Sequence, residues 1–213
     1  MAVEISPTEI TGRWRKGYAL HLHTLSSIPT GPDASGRMQF DTTRTDIGEH
    51  LHQLKNRGNV DAADPIIKAA AQFLKPKLPF FDIIVPVPPS KARHLQPVPV
   101  LAEGIAKAIG KPYCHCVTPT RATAQLKNIT DPEARKTHMV GLYAVDSDQT
   151  KDKRILLFDD LFRSGTTLNA ITDLLLTAGP SDDPNQLPSG FLRDRQGNRR
   201  SGAVCFQFNH AVL

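Results

Sequence analysis

Cysteine is scarce in this 213-residue chain, which contains Cys114, Cys116 and Cys205. Three thiols cannot all pair within one chain, and so small a number excludes a scaffold held together by disulfides. We therefore expect reduced thiols and a cytoplasmic location. Cys114 and Cys116 share one face of a short predicted strand, where we interpret them as buried structural thiols.

Long apolar runs are also lacking. No stretch approaches the roughly 20 residues that a membrane-spanning helix needs. The first ten residues, MAVEISPTEI, do not join a basic region to an apolar one as a secretory signal does. Both absences predict a protein without a membrane partner.

Acidic residues are outnumbered, with 21 Asp and Glu against 26 Lys and Arg, a net charge of +5 and a pI near 9.2. This balance favours anionic ligands. Part of the excess lies in a hydrophilic insert predicted over 181–200. Because Phe191 is the one aromatic residue near its arginines, we interpret the insert as solvated, with nucleic-acid binding as the alternative. The arginines are Arg193, Arg195, Arg199 and Arg200.

The most informative stretch is 153–176, KRILLFDDLFRSGTTLNAITDLLL. The apolar run at 155–158 predicts a strand that is covered on both faces, and the later apolar residues recur at helical spacing. Asp159 and Asp160 follow the strand directly. Ligands of α/β folds bind beyond the carboxyl ends of the strands, so we expect both carboxylates to lie at a binding site.

The loop between this strand and helix suits an anion. Its small residues let successive backbone amides converge, while Ser164, Thr166 and Thr167 add hydroxyl donors beside Gly165, and the helix N-terminus favours negative charge. Arg163 adds positive charge. The two preceding aspartates can accept hydrogen bonds from vicinal sugar hydroxyls or contact Mg²⁺ through water. The alternative, simple helix capping beside solvated carboxylates, leaves their position after a buried strand unexplained.

A second polar loop follows a strand predicted over 80–87. Prolines end that strand, because proline is excluded from a central ladder, and they direct Ser90, Lys91 and Arg93 to the sheet edge where Asp159 lies. A solvated turn is the alternative for Lys91 and Arg93, since isolated basic loop residues are common. Their position beside the aspartates favours contact with an anion.

The alternation of strands and helices predicts an α/β fold with a mostly parallel sheet flanked by helices. We divide the chain into an N-terminal hairpin or hood at 1–58 and a core at 59–213, with a long loop at 119–136 over the site. The remaining expected elements are a polar lead-in at 1–12, a hairpin of Tyr18–His23 with Met38–Thr43, helices at 46–54, 61–74 (with Asp64 as its N-cap) and 98–109, and strands at 113–117, 138–145 and 203–209.

These residues carry a resemblance. Asp159 and Asp160, followed by Ser164, Gly165 and Thr167, resemble the phosphoribosyl pyrophosphate (PRPP) motif of type I phosphoribosyltransferases. Over about 50–180 the order of segments is similar to the ComF-like, amidophosphoribosyltransferase-like subgroup. Those segments are LKNRG at 54–58, IIVPVPPSKAR at 83–93, LAEGIAKAIG at 101–110, Arg121 with Gln125, and Arg135 before MVGLYAV.

The resemblance implies a Mg²⁺-assisted displacement of pyrophosphate from C1 of PRPP. By this resemblance Asp159 and Asp160 hold the ribose hydroxyls and the metal, the loop at 163–167 holds the 5-phosphate, and the loop from Ser90 to Arg93 contacts the pyrophosphate. Lys91 and Arg93 would then be catalytic, because their charge can neutralise a leaving group that becomes more negative as the bond breaks.

Two departures narrow what the resemblance implies. ComF-like proteins usually carry an N-terminal zinc-binding cysteine cluster, and no cysteine precedes Cys114 here, so no zinc is expected. Purine-salvage relatives have an acidic residue where this chain has Arg163, and a guanidinium cannot accept a proton from a base. A transferase, a non-catalytic PRPP or nucleotide sensor, and a competence-type DNA-associated protein therefore stay open as functions, and so does a homo-oligomer.

Overall fold

The computed structural model describes residues 3–90, 93–121, 139–162 and 164–177, together with the backbone of 204–209. The strands are β1 (Thr8–Glu9), β2 (Lys16–Leu22), β3 (Thr24–Pro32), β4 (Met38–Arg44), β5 (Ile83–Pro86), β6 (Val117–Pro119), β7 (Tyr143–Val145), β8 (Ile155–Phe158) and β9 (Val204–Asn209). The main sheet has the order β1-β2-β9-β8-β5. Only the β1–β2 pair is antiparallel in it, which confirms the predicted mostly parallel sheet.

The helices are α1 (Asp46–His52), α2 (Ala63–Leu74), α3 (Pro97–Ile109), the single turn α4 (Ser147–Thr150) and α5 (Thr166–Thr177). A π-helical turn, Gln53–Arg57, extends α1, and short 3-10 segments span Val60–Ala62 and Lys75–Phe80. Gly58 and Gly110 both adopt positive φ as the predicted ends of their helices.

Both faces of the main sheet are covered, as the apolar strand sequences predicted. On one face, Ile84 and Leu156 pack against α1, α2 and α3. On the other face, Val85 and Leu157 pack against α5. Because successive strand residues point to opposite faces, a strand buried on both sides needs an unbroken apolar run, as 155–158 provides.

The predicted pairing of Tyr18–His23 with Met38–Thr43 is wrong. β2 lies between β1 and β9 in the main sheet, whereas β4 pairs with β3 in a separate two-stranded ladder. Pro29 and Pro32 lie within β3, although proline is more typical of a loop than of a strand. Both edges of this ladder are open among the described residues, and proline is tolerated on an edge strand.

Several smaller expectations also need correction. Asp64 lies within the first turn of α2 and is not its N-cap, since the cap is Ala62. Within the polar lead-in, Thr8–Glu9 pairs with β2. The segment 113–117 divides between a bridge from Tyr113 to Ile84 and the start of β6 at Val117. The predicted strand at 138–145 shortens to Tyr143–Val145.

Several predictions lie outside the described residues. They concern Lys91, Arg163, Gln125, Arg135, nearly all of the loop at 119–136, and the insert at 181–200. The division of the chain at residue 58 stays a prediction. Among the described residues, no helix is both long and apolar enough to cross a membrane.

Candidate functional site

The two predicted loops leave the sheet side by side. β5 and β8 are parallel neighbours, with Pro86 opposite Phe158. The Val87 amide donates a hydrogen bond to the Phe158 carbonyl across 2.7 Å, so the pairing continues to the carboxyl end of both strands. The expectation that the loop after β5 lies at the same edge as Asp159 is therefore confirmed.

Asp159 and Asp160 directly follow Phe158, the last residue of the buried strand β8. Asp159 is half-buried, and its Oδ1 accepts a hydrogen bond from the Asp160 amide at 2.8 Å. The Asp160 side chain is 13% exposed, and its Oδ2 lies 2.6 Å from Nζ of Lys55. The strand thus fixes two carboxylates at a sheet edge, and a neighbouring ammonium neutralises one of them.

Lys55 is a site residue that the sequence predictions did not select. It lies in the π-helical turn that extends α1, and its backbone carbonyl accepts a hydrogen bond of 2.8 Å from Nη1 of Arg93. Lys55 therefore links Asp160 to Arg93, which come from different loops. Its presence within LKNRG was a usable signal, because that segment was already part of the resemblance.

The described part of the loop before α5 contains a positive-φ glycine and two hydroxyl groups that lie close together. Gly165 has a φ of +67°, which glycine adopts more readily than other residues. The Ser164 and Thr166 hydroxyls lie 2.9 Å apart, and α5 begins at Thr166 with Thr167 half-buried beside it. Hydroxyl groups and the positive N-terminal end of the three-turn helix α5 therefore lie together, a few residues after the two carboxylates in sequence.

An N-terminal segment packs against this loop. The Trp14 ring lies 6.5 Å from the Phe162 ring in an edge-on arrangement, and a Cβ added at Gly165 would lie 3.2 Å from Trp14 Cη2. Arg13 holds the segment to α5 through its amide, which donates to Asn169, and through an ion pair of 3.0 Å with Asp173. The sequence predictions missed this contact, although Trp14 is the sole tryptophan of the chain.

Tyr143 lies in the electrostatic field of the site. Burial raises the pKa of its hydroxyl to about 12, and the negative charge of Asp159 adds to that increase. Tyr143 belongs to β7 and is 8% exposed. The small β6–β7 ladder therefore forms part of the surroundings of Asp159.

The loop after β5 changes from buried to exposed along its length. Pro88 is buried, Pro89 is half-buried, and Ser90 and Arg93 are exposed. Arg93 contacts the backbone of Lys55, whose side chain contacts Asp160, while Lys91 and Arg163 lie outside the described residues. Cys114 and Cys116 are free and buried, as predicted, and burial raises the pKa of Cys116 to about 12.

The donor set suits a metal that is shared with a ligand. Within the described part of the chain, no group of three or more His, Cys, Asp or Glu side chains could hold a metal ion. Asp159 and Asp160 offer two carboxylates, the kind of hard oxygen ligand that Mg²⁺ prefers. Because Lys55 already contacts one oxygen of Asp160, further oxygens for Mg²⁺ would have to come from water and a bound phosphate.

Comparisons with known proteins give two solved structures of interest. No protein-family model and no curated protein matches the sequence. A glutamine PRPP amidotransferase from B. subtilis, complexed with ADP and GMP, is 20% identical over 69% of this chain and 32% of its own, with a TM-score of 0.43. An allosteric regulatory enzyme of purine biosynthesis is 22% identical over 65% and 26%, with a TM-score of 0.38. The chain thus spans about a third or less of either protein.

Proposed function

We propose that this protein binds a phosphorylated ribose, with PRPP as the candidate ligand, at the carboxyl edge of β5 and β8. The observation that carries the proposal is the position of Asp159 and Asp160, which lie between a buried strand and a glycine-containing turn that opens α5. Adjacent carboxylates and an anion-binding turn are complementary to the two ends of a ribose 5-phosphate.

The carboxylates would bind the sugar. Vicinal ribose hydroxyls are two donors on adjacent carbons, and Asp159 and Asp160 are acceptors on adjacent residues. A hydrogen bond to a charged carboxylate is roughly twice as strong as one between neutral groups. Partial burial of both aspartates strengthens such bonds further, because water competes less for them.

The turn at 163–167 would bind the 5-phosphate. Backbone amides around Gly165, the Ser164, Thr166 and Thr167 hydroxyls and the N-terminus of α5 all favour an anion there. Arg163 would add a positive charge to the same pocket. Trp14 and Phe162 would hold the turn in this conformation, since both rings lie against Gly165.

The loop after β5 would contact the pyrophosphate. Ser90 can donate a hydroxyl, and Lys91 and Arg93 can neutralise the leaving group as the C1–O bond breaks and its electrons remain on the pyrophosphate. Mg²⁺ would supply further charge neutralisation when bound with the ligand to Asp159 and Asp160. An acceptor nucleophile would form the new bond to C1 as the pyrophosphate leaves. This combination of loops is the one for which the sequence resembles the ComF-like subgroup.

A non-catalytic PRPP sensor is the second candidate, and Arg163 is the observation that favours it. This position carries an acidic residue in purine-salvage relatives, where it assists deprotonation of the base. A guanidinium stays protonated and cannot do so. Such a protein would keep the pocket and use its occupancy to control a partner.

Calorimetry with Mg²⁺ and PRPP tests the pocket. Asp159→Asn combined with Asp160→Asn removes both charges at nearly constant shape, and we expect an affinity loss of about 100-fold or more, since two charge-assisted hydrogen bonds weaken. Asp61→Asn with Asp64→Asn is the matched control, because Asp61, just before α2, and Asp64, in its first turn, are both exposed. Equal affinity of the site variant and the wild type would refute the assignment.

Pyrophosphate release separates the two candidate functions. The wild-type protein would be incubated with Mg²⁺, PRPP and pools of bases, amines and nucleotides. Release that depends on one pool identifies a transferase and its acceptor class. Tight PRPP binding without release in any pool favours the sensor.

A further inference from the structure

The ammonium of Lys55 lies directly against the carboxylate of Asp160. Lys55 Nζ lies 2.6 Å from Asp160 Oδ2, and the two side chains are 27% and 13% exposed. Within the described part of the chain, this is the one hydrogen bond that the Asp160 side chain makes. The contact joins residues 105 positions apart in sequence, so it results from tertiary structure and not from local geometry.

The backbone that carries Lys55 is itself unusual. The five residues Gln53–Arg57 form a π-helical turn between α1 and the positive-φ cap Gly58. Single π turns are rare and occur frequently at functional sites, where they redirect a side chain. Leu54 is fully buried in this turn, while Lys55 extends toward the sheet edge.

We propose that Lys55 is a positioning residue that serves as the resident cation of Asp160. Asp160 then enters the complex as a hydrogen-bond acceptor for a sugar hydroxyl, and the metal that accompanies the ligand is left to the Asp159 side. This inference rests on the proposed ribose-phosphate function and narrows one part of it, because the metal that was given to Asp159 and Asp160 together is assigned to Asp159 alone.

The charges at the site support different roles for Asp159 and Asp160. A carboxylate has two oxygens and about four lone-pair positions, so Asp160 can keep Lys55 on one oxygen and accept a hydroxyl on the other. A divalent ion on the same carboxylate would lie within a few ångströms of the ammonium, and the repulsion at that distance is strong in a partly buried site. Metal binding at Asp160 is therefore opposed while hydroxyl binding is not.

The same residue also orients the second loop. The Lys55 carbonyl accepts the hydrogen bond from Arg93 Nη1, so the side chain that fixes Asp160 and the carbonyl that fixes Arg93 belong to one residue. The side-chain link can be removed without the backbone link, since a substitution at position 55 leaves its carbonyl in place. That separation makes the proposed role testable.

Titration of the ligand-free protein with Mn²⁺, followed by electron paramagnetic resonance, is the test. We expect Lys55→Met to bind Mn²⁺ at least about tenfold more tightly than the wild type, because the competing charge is gone. Lys55→Arg should stay near the wild type, since it keeps the charge. Lys55→Met with Asp160→Asn should lose the gain, which places the metal at Asp160.

Lys68→Met is the matched control, because Lys68 is exposed on α2 and its loss changes the net charge equally. An unchanged Mn²⁺ affinity in a folded Lys55→Met variant would overturn the proposal, as would an equal gain in Lys68→Met. Lys55→Gln serves as a second variant that removes the charge and keeps a donor. If neither uncharged variant folds, Lys55 has a structural role and the proposal fails.

The outcome is separable from that of the proposed function. The change in Mn²⁺ affinity between the ligand-free variants reports on Lys55 and Asp160, whereas calorimetry of the wild type with Mg²⁺ and PRPP reports on the pocket. A gain of Mn²⁺ affinity without PRPP binding would support the role of Lys55 at Asp160 and refute the assigned ligand. PRPP binding without any gain would leave the pocket assigned and refute the role of Lys55.

Discussion

An ion pair lies at each end of the paired strands β5 and β8, and the two ion pairs differ in their hydrogen bonds. At the N-terminal end, Asp82 accepts hydrogen bonds from Arg154 through Nη2 at 2.6 Å, Nε at 3.0 Å and the backbone amide at 2.8 Å. The Arg154 Nη1 also donates to the Pro79 carbonyl. At the carboxyl end, Asp160 accepts a hydrogen bond from Lys55.

The better-paired carboxylate is the more exposed one. The Asp82 side chain is 36% exposed and that of Asp160 is 13% exposed. Removing a carboxylate from water costs more as burial increases, and the cost is offset only where hydrogen bonds replace the lost water. Asp160 has fewer such bonds within the described chain, so its end of the sheet gains less stability and keeps capacity for a ligand. The difference is consistent with a stabilising N-terminal end and with the proposed binding site at the carboxyl end.

The largest effect in this comparison should follow Gly165→Ala at the binding end. The new Cβ would lie 3.0 Å from Phe162 and 3.2 Å from Trp14, and the φ of +67° is strained for alanine. We expect the turn to shift its amides, and affinity for Mg²⁺ and PRPP to fall by about 30-fold, equivalent to about 2 kcal/mol. Calorimetry measures the change.

Gly110→Ala is the control at the other end. Gly110 also has a φ of +67°, but no atom lies within 4 Å of its added Cβ, and the adjacent Lys111 donates to the Phe81 carbonyl just before β5. This variant should lose about 1 kcal/mol of stability and keep its affinity. Equal affinity losses in both variants would show that backbone strain, and not the contact with Trp14 and Phe162, governs binding.

Asp82→Asn should have the next largest effect, and on stability alone. The Arg154 hydrogen bonds lower the pKa of Asp82 below its ordinary 3.8, so the charged form is the one that the fold favours. We expect a loss of about 1–2 kcal/mol in the free energy of unfolding at pH 7, a modest value because the pair is partly solvated. Urea unfolding measures it, and PRPP affinity should not change.

The pH dependence of this loss has a defined direction. A carboxyl group whose pKa is lowered by folding contributes stability above its unfolded pKa, and the contribution disappears as pH falls through the folded value. The difference between wild type and Asp82→Asn should therefore be constant above about pH 5 and shrink below pH 4. A difference that persists undiminished at pH 2 would contradict the assigned ion pair.

Much of the fold could be predicted from the sequence where local pattern and tertiary structure agree. A strand that is buried on both faces has consecutive apolar residues, as at 155–158, whereas a helix that is buried on one face has them at helical spacing, as at 98–109. These two patterns were sufficient to predict both elements. The pairing of β2 with β9 was not predictable, since these strands are far apart in sequence and local alternation says nothing about partners. The hairpin was misplaced for the same reason.

The candidate site divides along similar lines. Asp159, Asp160 and the turn at 164–167 are contiguous, so sequence alone indicated their chemistry. Lys55 and Trp14 reach the site from distant segments, and their roles depend on a π-helical turn and a packed ring that no short motif encodes. Residue type marked Lys55 only as one of many lysines, whereas a 2.6 Å contact with a buried carboxylate distinguishes it.

The smallest expected effect is on the pKa of Tyr143. It tests whether the charge of Asp159, at the carboxyl end of the strands, acts independently of the charge of Asp82 at their N-terminal end. Burial is the main cause of its pKa of about 12 and the Asp159 charge is the second, so Asp159→Asn should lower this pKa modestly while burial keeps it above 10. Asp82→Asn should leave it unchanged. Carbon NMR of labelled tyrosine rings between pH 9 and 13, with Tyr143→Phe to assign the signal, measures both pKa values.

Since folding raises the pKa of Tyr143, the stability that its neutral hydroxyl contributes is complete below pH 10 and disappears as pH rises through about 12. Equal shifts in the two aspartate variants would mean that the electrostatic influence of the two ends is not separate.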